Sequence, residues 1–391
     1  MFEQYLSSRM SLLDTESAFQ ILARARALEA QGRSIIHMEI GQPDFTTPAH
    51  IRDAAYRAMN DGFTGYTPTP GLPEVRQTIA DYVERYKGIK SSLDEVIVVP
   101  GGKPIMFFTM LMLVENGDEV IYPNPSFPIY ESCIKFSGGV PVPIPLLAEN
   151  GFGFDVDLLK KSITDKTKLV IINNPGNPTG GTSSHEDIVK IAEILKDHPG
   201  IFVMSDEIYD RIVYEGSVTS IATLPWMKDR VIILDGFSKT YAMTGWRLGY
   251  GVMHPDLVKQ MELLMVNSVS CAAAFTQKAA IEALNGTQEP SAEMLAAFKE
   301  RRDYLVDGLN AIDGVKCILP KGAFYVFPDI SGYGVGCDEF ADRLLTEAGV
   351  AAAAGTAFGK FGEGFVRFSY ANSLENIKIA VERIANFVKT L

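Results

Sequence analysis

The sequence is poor in the features that announce several large functional classes. Its 391 residues include only 4 cysteines, Cys133, Cys271, Cys317 and Cys337, and no two stand at redox or metal-ligand spacing. A disulfide-stapled scaffold is not expected, and the thiols read as reduced core or near-surface groups. Histidines number 5 (His37, His50, His185, His198 and His254). None has ligand spacing, and His185-Glu186 lacks the second histidine of a zinc protease, so no metal is expected. Basic charge is scarce too. A formal net charge of -12 argues against a nucleic-acid partner, because phosphate neutralisation needs clustered lysine and arginine. The longest apolar stretch, Ile105 to Val114, is too short to span a bilayer. The N-terminal residues show no basic segment followed by an apolar one, so no signal peptide and no membrane partner are expected, and the predicted location is cytoplasmic.

Several enzyme signatures are missing as well. No dinucleotide fingerprint follows any strand-like run. Gly101-Gly102-Lys103 lacks the spaced first glycine and the final Ser/Thr of a P-loop. Gly236-Phe237-Ser238-Lys239-Thr240 lacks the second glycine of a hydrolase nucleophile elbow. Ser132-Cys133-Ile134-Lys135 has no Lys-Thr-Gly partner.

What is present is a hydrophobic fraction of 47% in a chain long enough for two domains. Short β-branched runs alternate with helical patterns from about residue 94 to 255. The runs are Val96–Val99, Glu119–Tyr122, Val140–Ile144, Leu169–Ile172, Phe202–Ser205, Val231–Leu234 and Leu248–Val252. Several are almost wholly apolar, as strands covered on both faces must be. Stretches such as Lys103–Val114, Ser126–Lys135 and Glu186–Leu195 suit crossover helices. The pattern predicts an α/β domain with a mostly parallel seven-stranded sheet. Beyond it, helices over Gln277–Asn285 and Ala292–Asn310, short runs at Lys316–Leu319 and Ala323–Phe327, a helix over Asp338–Ala348, a strand near Phe365–Ser369 and a last helix from Leu374 predict a smaller α+β domain. The predicted division is residues 1–45 as an N-terminal arm joining the small domain, 46–290 as the large domain and 291–391 as the small one.

Ligands of parallel α/β sheets bind at the carboxyl ends of the strands. Four such ends carry chemistry here. Pro100-Gly101-Gly102-Lys103 opens a helix, where backbone N–H groups can meet an anion. Asn173-Asn174-Pro175-Gly176-Asn177-Pro178-Thr179-Gly180 supplies amides. Asp206-Glu207-Ile208-Tyr209 supplies a carboxylate and a phenol. Asp235-Gly236-Phe237-Ser238-Lys239-Thr240 supplies a lysine. A partly buried lysine is held neutral and can form a Schiff base. A carboxylate beside it could keep a pyridine nitrogen protonated. Each has a plainer reading when taken alone: Lys239 as a surface-loop lysine, Asp206 as a turn or cap residue, Tyr209 as a packed aromatic and Gly101-Gly102 as a tight turn.

The run Ser-Asp-Glu-Ile-Tyr ending at Tyr209, Asn-Pro-Thr-Gly ending at Gly180, and Ser-Lys-Thr-Tyr-Ala-Met-Thr-Gly-Trp-Arg-Leu-Gly-Tyr from Ser238 together resemble the core motifs of class I/II aminotransferases. These are fold-type I enzymes dependent on pyridoxal 5'-phosphate (PLP), and the resemblance is greatest to the bacterial and archaeal aspartate/aromatic branch. It runs from Gly41-Gln42-Pro43-Asp44 to Arg367-Phe368-Ser369-Tyr370. The resemblance implies that Lys239 carries PLP as a Schiff base and shuttles the substrate proton, that Asp206 pairs with the ring nitrogen, and that Asn177 and Tyr209 bond the ring oxygen. It implies that Gly101, Gly102, Lys103, Ser238 and Arg247 surround the phosphate, that Phe127 stacks on the ring, and that Tyr66 reaches the phosphate of a neighbouring subunit in a homodimer. It further implies that Arg367, with Gly41 and Asn177, holds the substrate α-carboxylate.

Two departures stand out. Gly236 and Phe237 stand where many members of the family have Ser or Ala in the phosphate loop, which predicts a lighter phosphate shell. No side-chain-recognising arginine is evident, which weakens the case for a dicarboxylate substrate. The implied function is ping-pong transfer of an amino group between an L-amino acid and a 2-oxo acid. The same motifs also serve enzymes of this fold that catalyse elimination, replacement, cyclisation or oxidation in specialised biosynthesis, and that alternative stays open.

Overall fold

A computed structural model of the chain describes residues 5–391. Its strands are β1 (Ile36–His37), β2 (Val96–Val99), β3 (Glu119–Asn124), β4 (Val140–Pro145), β5 (Thr167–Asn173), β6 (Phe202–Asp206), β7 (Val231–Gly236), β8 (Gly249–Val252), β9 (Tyr325–Val326), β10 (Val350–Ala351), β11 (Ala353–Ala354) and β12 (Val366–Ser369). Seven of them form one sheet in the order β2-β8-β7-β6-β5-β3-β4. Only β8 runs antiparallel to its neighbours β2 and β7. The other neighbouring pairs are parallel. All seven runs expected from the sequence are strands of this sheet, which is a fold-type I α/β architecture.

Alternation within each strand explains why the sheet is covered on both sides. Val96 and Val98 of β2, Val170 and Ile172 of β5, and Val231 and Ile233 of β7 pack into one core. Their neighbours Ile97, Val99, Leu169, Ile171, Ile232 and Leu234 pack into a second core on the opposite face. Full burial of each such side chain contributes about 1.5–3 kcal/mol relative to exposure. The expected crossover helices form at Lys103–Leu113, Ile129–Phe136 and His185–Lys196. The last begins at Ser184, which shares a reciprocal capping box with Asp187.

The C-terminal elements build a third core in which Phe298, Phe324, Phe340, Phe368, Ile377 and Ile384 meet Ile36 and Met38 from the N-terminal segment. Strand β1 pairs in parallel with β10, tying Ile36 and His37 to this region. The run Lys316–Leu319 does not form a strand. It makes one isolated bridge, Lys316 to Asp329, because the Asn310 side chain takes both backbone groups of Cys317, N–H at 2.8 Å and C=O at 2.9 Å. No described helix is long and apolar enough to cross a membrane.

Candidate active site at the strand ends

Lys239 follows β7 and lies at the carboxyl edge of the sheet. Its Nζ donates to the carbonyl of Gly41 at 2.5 Å and sits 5.8 Å and 5.7 Å from the ring centres of Tyr209 and Phe324. Burial lowers its pKa from 10.5 to about 8, with the Arg367 and Arg247 charges acting in the same direction against Glu16 and Asp206. Gly41 is required beside it, since a Cβ there would collide with the Tyr325 hydroxyl.

Asp206 ends β6 and is buried. Its carboxyl accepts from Tyr130 Oη at 2.6 Å and from the Ile208 amide at 3.2 Å. Burial raises its pKa from 3.8 to about 6, although both hydrogen bonds and Lys239 favour the ionised form. Tyr209 is buried three residues on, its hydroxyl 2.7 Å from that of Tyr325. The next loop, after β5, brings in Asn177. Its side-chain oxygen accepts from Arg367 Nη1 at 2.9 Å. Arg367 lies on β12, buried between the rings of Tyr325 and Phe358, each 4.6 Å away. Its other amino group donates to the Glu39 carbonyl, while its Nε is buried without a hydrogen-bond partner. Lys239, Asp206, Tyr209, Asn177, Gly41 and Arg367 thus gather from three strand ends, the N-terminal segment and the C-terminal lobe.

The glycine pair lies nearby. Gly101 has φ +82°, and a Cβ on it would occupy the space of the Arg247 guanidinium. A Cβ on Gly249 would lie 2.8 Å from the backbone of Gly101 and Gly102. The Arg247 guanidinium thus lies against the Gly101-Gly102 backbone at the start of the helix Lys103–Leu113. Gly236 has a packing reason, because its Cβ would meet Gly249 Cα at 2.9 Å, and Phe237 is wholly buried in the core. Ser238 is buried at the turn before Lys239, where its carbonyl accepts from Met243.

Lys103, Phe127 and Tyr66 lie outside both of these groups. The Lys103 ammonium pairs with Glu16 and stands 5.6 Å from the Phe127 ring. Phe127 packs edge-on against Tyr130, the partner of Asp206. Tyr66 is 93% exposed. Sequence reasoning missed Tyr130, Tyr325, Phe358 and Glu16. Tyr130 had a signal, its spacing of three from Phe127 at the start of a helix, whereas Tyr325 and Phe358 reach the site only through the tertiary fold.

Behind the same segment lies a buried charge cluster. Lys87 bonds Glu207 at 2.7 Å, stands 3.1 Å from Asp235, and also pairs with Asp210. Burial pulls its pKa down, but the three carboxylates more than offset this and hold it raised. Asp206 and Tyr209 therefore face one side of their turn, while Glu207 and Asp210 face Lys87 on the other.

The sequence profile described as "Aminotransferase class I and II" matches residues 33–384. An aspartate aminotransferase of Geobacillus stearothermophilus is 41% identical over 391 residues, covering 98% of this chain and 99% of that protein. Among solved structures, the aspartate aminotransferase of Rhizobium meliloti superposes with a TM-score of 0.94 at 37% identity, covering 98% of both chains. The alanine aminotransferase of Pyrococcus furiosus gives 0.92 at 34% identity, covering 99% of this chain and 100% of that one. With near-complete coverage in sequence and in structure, the chain belongs to the class I and II aminotransferases.

Proposed function

We propose that the strand-end group is the PLP-dependent active site of an enzyme that moves an amino group between an L-amino acid and a 2-oxo acid. The observation that carries this reading is Lys239, a lysine with its pKa lowered to about 8, within electrostatic reach of buried Asp206 and buried Arg367.

The residues fit PLP on three counts. Gly101 lets the Arg247 guanidinium lie against the backbone at a helix start, where any side chain would displace it, and guanidinium and helix N-terminus together suit a phosphate. Asp206 is a buried carboxyl with a raised pKa, which a protonated ring nitrogen would stabilise in its ionised form. Arg367 has a buried N–H without a partner, which a substrate carboxylate would satisfy. Gly101, Gly102, Ser238 and Arg247 would hold the phosphate, Asp206 the ring nitrogen, Asn177 and Tyr209 the ring oxygen, and Phe127 the ring face. Lys103 would contribute its backbone at the helix start. When bound, the cofactor supplies a ring that withdraws electrons from the substrate α-carbon.

The chain supplies the rest. Arg367 and Asn177 orient the α-carboxylate, which fixes the rotation of the substrate about its reacting bonds. Lys239 Nζ, whose lowered pKa makes its neutral form far more accessible than that of an ordinary lysine, takes the α-proton. Tyr325 holds the Tyr209 hydroxyl in place. The exposure of Tyr66 supports a homodimer in which it completes the partner's phosphate site, and the division at residues 45/46 and 290/291 is part of the same proposal.

Cofactor-loaded protein mixed with single L-amino acids tests the reading. One equivalent of 2-oxo acid per site should form as the visible absorbance of the cofactor falls, and a second 2-oxo acid should restore it. Release of ammonia or of a side-chain fragment instead would replace transamination with another reaction. For the dimer, mixing refolded, separately inactive Lys239→Ala and Tyr66→Ala chains should regenerate about a quarter of the intact sites; full activity of Tyr66→Ala alone would remove Tyr66 from the site, and no recovery on mixing would mean that it does not act across the dimer.

A further inference from the structure

Glu16 stands at the N-terminal cap of the helix Ser17–Glu29 yet makes no side-chain cap bond there. Side chains at this position usually accept from the first helical amides. Its carboxylate instead reaches Lys103 Nζ at the start of the helix Lys103–Leu113. The pair is asymmetric: the Glu16 side chain is 18% exposed and that of Lys103 51%. The glutamate thus points inward and the lysine lies at the mouth.

The location is the rim of the site. Asp14 and Thr15, just before Glu16, line a cavity of about 540 Å³ together with Ser126, Phe127 and Phe358. Phe358 flanks Arg367, and the Lys103 ammonium stands by the Phe127 ring. The Glu16 charge is felt at Lys239, Arg367 and Tyr325, in each case favouring the protonated form.

Under the reading above, Arg367 is committed to the α-carboxylate and Lys239 to the amine. A substrate side-chain carboxylate would need a third cation on this rim. Lys103 is such a cation, and Glu16 holds it. A second carboxylate entering there would both lose the lysine and face a like charge.

We propose that Glu16 is a specificity-determining residue that occupies Lys103 in place of a substrate side-chain carboxylate, so that the enzyme favours amino acids with neutral side chains over aspartate and glutamate. This inference rests on the aminotransferase reading of the site, and goes beyond it in naming the substrate class.

The test is the ratio of kcat/KM for aspartate over leucine, measured in the half-reaction. The ratio should lie below one in the native enzyme. It should rise about tenfold in Glu16→Gln, chiefly through a lower KM for aspartate. Glu16→Ser, which can also cap the helix, should give the same shift. Adding Lys103→Met to Glu16→Gln should abolish the gain. A native enzyme that prefers aspartate to every neutral amino acid overturns the inference, as does a ratio unchanged in both single variants or a gain that survives loss of Lys103. Each of those results leaves the transaminase reading intact. Failure of every amino acid to yield a 2-oxo acid overturns the two together.

Discussion

Arg367 Nη1 donates to the side-chain oxygen of Asn177 at 2.9 Å, across 190 positions of sequence and between the C-terminal lobe and the loop after β5. The bond fixes a buried guanidinium that has few other acceptors. Asn177→Ala is expected to raise KM for the amino acid about tenfold or more, since a hydrogen bond to a charged group contributes about 1.5–3 kcal/mol. Steady-state kinetics with one amino donor checks this, and an unchanged KM would mean that Asn177 does not position Arg367.

The lowered pKa of Lys239 predicts a pH dependence. Only the neutral amine can attack an aldehyde, and with a pKa of about 8 roughly a tenth of the lysine is neutral at pH 7. The rate at which cofactor-free protein captures added PLP should therefore climb with pH to half its maximum near pH 8. The same shift acts on stability. Between about pH 8 and 10.5 the unfolded chain binds more protons than the folded one, so this lysine's penalty is complete below pH 8 and is relieved as pH rises through that window. Stopped-flow absorbance across pH distinguishes a midpoint near 8 from the midpoint above 10 of an ordinary lysine.

Lys87 is the one lysine in a buried group with Glu207, Asp210 and Asp235. Lys87→Met should destabilise the fold by about 3–5 kcal/mol, because three acids then share a desolvated space without a cation. The loss should be smaller at pH 5 than at pH 8, since the freed acids can take up protons. Urea unfolding at the two pH values measures both effects, and equal losses would place the contribution in packing rather than charge.

The large sheet was legible because its strands are short, apolar and β-branched, and because four of them end in residues that no core demands. Lys239, Asp206, Tyr209 and Asn177 could be grouped from the sequence for that reason alone. Their partners were harder to find. Tyr325 and Phe358 are ordinary core aromatics until the C-terminal lobe folds against the sheet, and Glu16 faces a lysine 87 residues away. Lys316–Leu319 failed as a strand because one asparagine side chain took the backbone bonds that a neighbouring strand would have used.

The turn from Asp206 to Asp210 ties reactivity to folding residue by residue, its two sides being set by a single backbone path. Substitutions there cannot be tuned independently, so substrate redesign should leave it alone. The Asp14–Glu16 segment belongs to no strand, and its exposed Asp14 and Thr15 border the cleft. It is the place where sequence can drift, or be randomised in a library, without unsettling the protein that carries it.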